Sequence, residues 1–286
     1  MKILIADNAG FCFGVKRAVK MAYDQINRDD SRQTYTYGEL IHNPQVVKDL
    51  EGKGIKTIGG IDNLKENDRI IIRTHGIPEK TYKDLKEKKI ELIDMTCPFV
   101  KRVQKIVNGY YKKGYTIVII GDKNHPEVIG VNGWCDNSAY VIESVNDVEL
   151  LPYIDKACVV AQTTITQKMW EDSLNSLKLK VNELVSFNTI CDATNKRQSS
   201  AEEISKKADV MIVIGGKNSS NTQKLKRICE KYCKRTIQVE NADEIDLSIF
   251  NDNDIVGITA GASTPDYLIQ EVINRIAINR KEDTNG

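Results

Sequence analysis

The chain has 286 residues, longer than one ordinary domain of roughly 100 to 200, so two or three separate cores are expected. Its 41 Lys plus Arg against 40 Asp plus Glu leave a formal charge of +1, which excludes a bulk field for nucleic acid or an anionic membrane, and any anion must be bound by a local site. The composition, 41% hydrophobic and 28% charged, is that of a globular protein. No run of about 18 apolar residues could span a bilayer, and Met1 to Asp7 lacks the apolar stretch and cleavage site of a signal peptide, so a cytoplasmic location is expected.

In chain order, short Ile/Val-rich runs occur at Ile3 to Ala6, Arg69 to Arg73, Glu91 to Ile93, Thr116 to Ile120, Cys158 to Ala161, Val185 to Phe187, Val210 to Ile214 and Ile255 to Ile258. Runs of this kind are the pattern of buried parallel strands, and the amphipathic stretches between them supply crossover helices, which makes the fold α/β. Ligands of such sheets bind at the carboxyl ends of strands, where loops feed helix N-termini.

An internal repeat organises those loops. Cys97-Pro-Phe-Val-Lys101-Arg102 echoes Cys12-Phe-Gly-Val-Lys16-Arg17 at a displacement of 85 residues, and Cys191-Asp-Ala-Thr-Asn-Lys196-Arg197 is a looser third copy 94 further on. The second offset also maps Ile120-Gly121-Asp-Lys123-Asn124-His125 onto Ile214-Gly215-Gly-Lys217-Asn218-Ser219, while His42-Asn-Pro takes the place of His125-Pro-Glu127 in the first copy. A further polar loop closes each repeat: Arg73-Thr-His75-Gly76, Gln162-Thr163-Thr164 and Thr259-Ala-Gly261-Ala-Ser263. Three such units predict pseudo-threefold packing with their strand-end loops converging. The domains are expected at 13–96, 97–190 and 191–281, with 1–12 completing the sheet of the third.

Seven cysteines, an odd number with no Cys-x-x-Cys pair, argue against a disulfide framework and against a zinc finger. Equivalent placement singles out Cys12, Cys97 and Cys191. Three thiolates would suit a cuboidal iron-sulfur cluster and leave one iron open as a Lewis acid; the alternative is three small buried hydrophobes. Cys135, Cys158, Cys229 and Cys233 lack that placement and are read as packing residues. First-turn Lys16, Arg17, Lys101 and Arg102 oppose the helix dipole and are compensated either by a nearby anion or by solvent. All three histidines, His42, His75 and His125, fall in strand-end loops, where they can bind phosphate or pass protons, or simply cap and lie at the surface. Ser219, Ser220, Asn221 and Ser263 add donors at helix starts, as anion ligands or as ordinary N-caps. Glu127, at the head of a helix, either complements the dipole or, if buried, donates a proton.

With these residues in view, the chain resembles the 4-hydroxy-3-methylbut-2-enyl diphosphate reductases, the IspH/LytB family, over residues 1 to about 280. The stretches that carry the resemblance are Gly10-Phe-Cys12-Phe-Gly-Val, His42-Asn, Thr74-His75-Gly76, Asp94-Met-Thr-Cys97-Pro, His125-Pro-Glu127-Val, Gln162-Thr163-Thr164, Cys191-Asp-Ala-Thr194-Asn, Lys217-Asn-Ser219-Ser220-Asn221 and Thr259-Ala-Gly261-Ala-Ser263. The resemblance implies a trefoil of three α/β domains around a 4Fe-4S cluster, one per chain, with Cys12, Cys97 and Cys191 as ligands. It implies that His42, His75, Ser219, Ser220, Asn221 and Ser263 hold the diphosphate. By the same likeness His125 and Thr163 place the hydroxyl end, and Glu127 relays the proton that lets water leave. The products implied are isopentenyl and dimethylallyl diphosphate, in the last step of the methylerythritol phosphate route. A five-carbon tail contributes only about 4 kcal/mol at ~0.8 per methylene, against roughly 1.5 to 3 for each hydrogen bond to a charged group, so the headgroup should dominate binding.

No dinucleotide fingerprint is present, since Gly10 to Gly14 lacks the spacing, so electrons are expected from ferredoxin or flavodoxin. The polar tail Asn279 to Gly286 is expected to end the chain without the RNA-binding repeats of some relatives, and a monomer is expected. Two other readings of the cysteines are a cluster-dependent dehydratase and a non-catalytic iron-sulfur redox sensor.

Overall fold

The structure is a computed structural model that describes residues 1–28 and 32–282. Chain contacts divide it into two compact units, one of Met1–Phe13, His42–Pro44 and Asp192–Gly286, the other of Gly14–Ile41 and Gln45–Cys191.

The elements run β1 (Lys2–Ile5), α1 (Phe13–Ile26), β2 (Thr34–Tyr37), α2 (Pro44–Gly52), β3 (Ile55–Ile58), β4 (Arg69–Ile72), α3 (Glu79–Glu87) and β5 (Glu91–Asp94). The next are α4 (Pro98–Tyr111), β6 (Thr116–Ile120), α5 (Pro126–Asn132), β7 (Tyr140–Ile142), β8 (Ile154–Ala161), α6 (Gln167–Leu177) and β9 (Val181–Phe187). The last are α7 (Asp192–Ser205), β10 (Val210–Ile214), α8 (Ser220–Glu230), β11 (Thr236–Val239), β12 (Ile255–Ala260) and α9 (Asp266–Glu282). Thus α9 takes in the first residues of the polar tail, whose remainder, 283–286, lies outside the described residues.

The strands form three four-stranded sheets, ordered β3-β2-β4-β5, β7-β6-β8-β9 and β11-β10-β12-β1, and every pairing is parallel. The order is the same each time. In the third sheet the fourth place is taken by the first strand of the chain, with Lys2 opposite Ile255 and Ile5 opposite Ile258.

Both faces of these sheets are covered, which is why the central strands read as unbroken apolar runs. In the second sheet Val118 and Ile120 face α6 through Trp170 and Leu177, while Ile117 and Ile119 face Val103 and Val107 of α4 and Val128 and Val131 of α5. In the third, Ile212 and Ile214 pack on Ile269, Val272 and Ile276 of α9, and Met211 and Val213 on Ala201 of α7 and Leu225 of α8. Burying each such side chain contributes about 1.5–3 kcal/mol, so the layers are held chiefly by their strand centres.

Four strands lie where no apolar run predicts them. β3, β7 and β11 are edge strands, three or four residues long and half-exposed, and β2 is Thr-Tyr-Thr-Tyr. Cys158, expected at a strand start, lies in the middle of β8. The four cysteines read as packing residues are indeed core: Cys135 and Cys158 belong to the α4/α5 layer and Cys229 and Cys233 to the α7/α8 layer. Among the described residues no helix is long and apolar enough to cross a membrane.

Candidate functional site

The sheets' common order puts equivalent loops at equivalent carboxyl ends, and one hydrogen bond marks the equivalence. In each repeat the cysteine N–H donates to the carbonyl two residues beyond the third strand: Cys12 to Ala262 at 3.2 Å, Cys97 to Thr74 at 2.9 Å and Cys191 to Thr163 at 3.1 Å. Each cysteine is partly exposed just ahead of a helix N-terminus, α1, α4 or α7. Cys97 occupies the N-cap with its thiol making no capping bond. The core cysteines are different in burial. Burial pushes the Cys135 thiol up to about 11, and those of Cys158 and Cys229 up to about 12, so these stay protonated and inert as ligands.

Within the second unit, Pro126 fixes the start of α5 and leaves His125 as its N-cap. The imidazole Nδ1 accepts the Glu127 N–H at 3.1 Å, so a neutral ring carries its proton on Nε2. Glu127 is only 3% exposed. Thr163 grips both carboxylate oxygens, its N–H donating to Oε1 and its hydroxyl to Oε2, each at 2.7 Å. A carboxyl and a hydroxyl at that separation can exchange a proton. His75 lies edge-on to His125, ring centroids 5.3 Å apart. Two glycines allow this approach. A Cβ on Gly130 would come to 3.3 Å from the Gly76 carbonyl, and one on Gly133 would sit 2.6 Å from Pro78 Cα, so α5 lies directly against the His75 loop. Trp134 Nε1 adds a bond to the Ile77 carbonyl at 3.0 Å.

Within the first unit, Ser219 caps α8, its Oγ accepting the Thr222 N–H at 3.3 Å, and Ser220 Oγ accepts from Lys224 Nζ at 2.9 Å. Ser263 Oγ donates to the His42 carbonyl at 2.9 Å, which ties the His42 turn to the loop after β12. Asn221 is 5% exposed, and both its amide nitrogen and its amide oxygen are buried with no partner. Such an amide costs about 1–3 kcal/mol for each unmet group, a cost that a polar ligand would remove.

Some equivalences shift. Helix α2 starts at Pro44 as α5 starts at Pro126, so by helix start Asn43, not His42, stands where His125 does. Proline fixes the first helical residue, and this outweighs the apparent match of the histidines. Lys101 needs no ligand to offset the helix dipole, since Asp94 pairs with it at 2.7 Å. Gln162, quoted in the sequence only as part of a motif, braces the site: its Oε1 accepts the Asp122 N–H at 3.0 Å. Its signal was the repeat position it shares with Arg73.

The fold and these loops define an α/β protein of three equivalent sheets that carries cysteines, histidines, a buried carboxylate and helix-start hydroxyls at its strand ends. Residues 3–277 match the family described as LytB protein, and the chain belongs to that family. It is 60% identical over 287 residues, covering 100% of both chains, to 4-hydroxy-3-methylbut-2-enyl diphosphate reductase of Caldanaerobacter subterraneus subsp. tengcongensis. It is also similar to a solved structure of (E)-4-hydroxy-3-methyl-but-2-enyl diphosphate reductase, described as the terminal enzyme of the non-mevalonate pathway, with 42% identity, TM-score 0.72 and coverage of 96% and 99% of the two chains. A second solved structure, the E-1-hydroxy-2-methyl-but-2-enyl-4-diphosphate reductase from Plasmodium falciparum, matches at TM-score 0.90 and 30% identity, over 96% of this chain and 87% of that one.

Proposed function

We propose that this chain is the reductase that converts (E)-4-hydroxy-3-methylbut-2-enyl diphosphate to isopentenyl and dimethylallyl diphosphate. Family membership over nearly the whole chain supports it, and the observation that carries it is the buried Glu127–Thr163 pair beside His125.

The donor set suits an iron-sulfur centre. Three cysteines at repeat-equivalent positions are partly exposed while the other four lie in the core, and soft thiolates are the usual ligands of such clusters. Cys12, Cys97 and Cys191 are therefore proposed to hold one 4Fe-4S cluster, and the domains are proposed to be 13–96, 97–190 and 191–281. When bound, the cluster supplies a Lewis-acidic iron without a protein ligand and a path for electrons one at a time.

The chain's own residues do the rest. His42, His75, Ser219, Ser220, Asn221 and Ser263 bind the diphosphate, for which the unmet Asn221 amide is the clearest opening. His125 presents Nε2–H toward the hydroxyl end because its Nδ1 is committed to the Glu127 N–H. Thr163 Oγ gives its hydroxyl proton to the leaving hydroxyl, and Glu127, once protonated, would replace that proton from Oε2, 2.7 Å away. The C–O bond breaks, two electrons and that proton release water, and a second proton on either end of the allylic anion gives the two products. Ferredoxin or flavodoxin would deliver the electrons to a monomer in the cytoplasm.

The test is an anaerobic assay of the iron-reconstituted protein with the hydroxymethylbutenyl diphosphate and dithionite-reduced viologen. Both five-carbon diphosphates should form as viologen is oxidised. Loss of water without oxidation of viologen, or no turnover, would refute the assignment.

A further inference from the structure

Arg73 ends the third-strand position of the first repeat, directly after β4 and two residues before His75. Its guanidinium is half-buried, and burial lowers its pKa, the mark of a desolvated cation. A buried cation is normally held by a carboxylate in contact. Arg69, four residues earlier, shows the norm, with Glu91 at 3.0 Å and Thr34 at 3.3 Å. Arg73 departs from it: its Nε is buried without an acceptor, and Tyr37 and Glu39 act on it only through space.

The internal repeat shows what the position needs for folding alone. Gln162 stands there in the second repeat, and a Cβ on Gly121 would lie 2.7 Å from its Cβ. Arg73 lies over the equivalent glycine, Gly38, but with its head: a Cβ there would meet the guanidinium, with Cζ at 3.0 Å. Gln162 uses its amide to brace the Asp122 N–H. Arg73 makes no such internal bond among the described residues, so its charge is not required by the loop it packs on.

We propose that Arg73 is an anion-binding residue that holds the substrate's diphosphate beside His75. This rests on the diphosphate-reductase reading. The residue was not among the groups singled out in the sequence, because an arginine closing a strand looks like an ordinary solvated end.

The test uses the iron-reconstituted enzyme, with inorganic pyrophosphate as a competing anion. Arg73→Gln places in the first repeat the residue that the second already carries against its glycine, so the variant is expected to fold and to keep its cluster absorbance. The substrate KM and the pyrophosphate Ki should both rise on the order of tenfold, the effect of losing one charge-assisted contact. The loss in kcat should be smaller, and the salt dependence of KM should flatten. Arg73→Lys should recover most of the affinity. Unchanged KM and Ki in Arg73→Gln, while Ser219→Ala raises both, would overturn the proposal and leave the reductase reading standing. Failure of both Arg73 variants to fold would show a structural role and overturn it too. Wild-type enzyme that neither turns over nor binds pyrophosphate would remove the reading itself.

Discussion

Glu127 illustrates how burial suits one side chain to the role proposed for it. At a helix start a carboxylate ordinarily only complements the dipole, but this one is 3% exposed and has both oxygens on Thr163. Glu127→Gln keeps the shape and can still accept one Thr163 bond, yet it has no acidic proton to give. Turnover should fall by about 10²–10⁴-fold, the range expected for a general acid, while substrate still perturbs the cluster's paramagnetic spectrum. Normal turnover would remove the proton-relay role. At this scale the sequence was informative about identity and silent about geometry. The motif names Glu127 and Thr163, but residues 36 apart meet only because the helix after β6 and the loop after β8 leave adjacent parallel strands.

At the scale of elements, the chief device is the close seating of α5 on the His75 loop. Gly130 and Gly133 make it possible, and neither has a counterpart that the repeat would flag. Gly133→Ala would thrust a methyl to 2.6 Å from Pro78 Cα, a backbone-borne atom that cannot step aside cheaply. Overpacking of this sort costs about 1–3 kcal/mol, so the urea midpoint should drop and the emission of neighbouring Trp134 should shift. An unchanged midpoint would mean that α5 has slack. The strands show what was legible and why. Centres such as Ile70–Ile72 and Ile117–Ile120 are buried on both faces, so they read as apolar runs. The edge strands β3, β7 and β11 bury one face over three or four residues, too few for a period of two to stand out. β2 escaped for another reason: its Thr34 and Thr36 are buried although polar.

For the whole molecule, the seven cysteines form two populations that a single experiment separates. Cys135, Cys158 and Cys229 are buried thiols pushed up to about 11 or 12, so at pH 8 almost none is thiolate. Cys12, Cys97 and Cys191 are partly exposed. Iodoacetamide treatment of the native iron-free chain should label those three first, and prior reconstitution with iron and sulfide should protect all three together. Labelling that ignores reconstitution would count against their joint ligation. The repeat made this threefold equivalence readable, because displaced copies of one loop appear in the sequence as a constant offset. The pairing of each cysteine N–H with a loop carbonyl left no trace there, since backbone bonds are not written in residue types.

The pairing of β1 with β12 also dictates an order of events during synthesis. Lys2–Ile5 leave the ribosome some 250 residues before their partners Ile255–Ile258, so β1 waits as an unpaired edge while the strands of the other two sheets are made. Cys12, seven residues beyond that strand, waits with it. The sheets formed by β2–β5 and β6–β9 have their strands together in sequence and can assemble as they emerge, whereas the third sheet closes only once β12 has emerged. If Cys12 is a cluster ligand as proposed, a nascent chain stalled short of Ile255 should be unable to accept iron, which reconstitution of a chain truncated there would check.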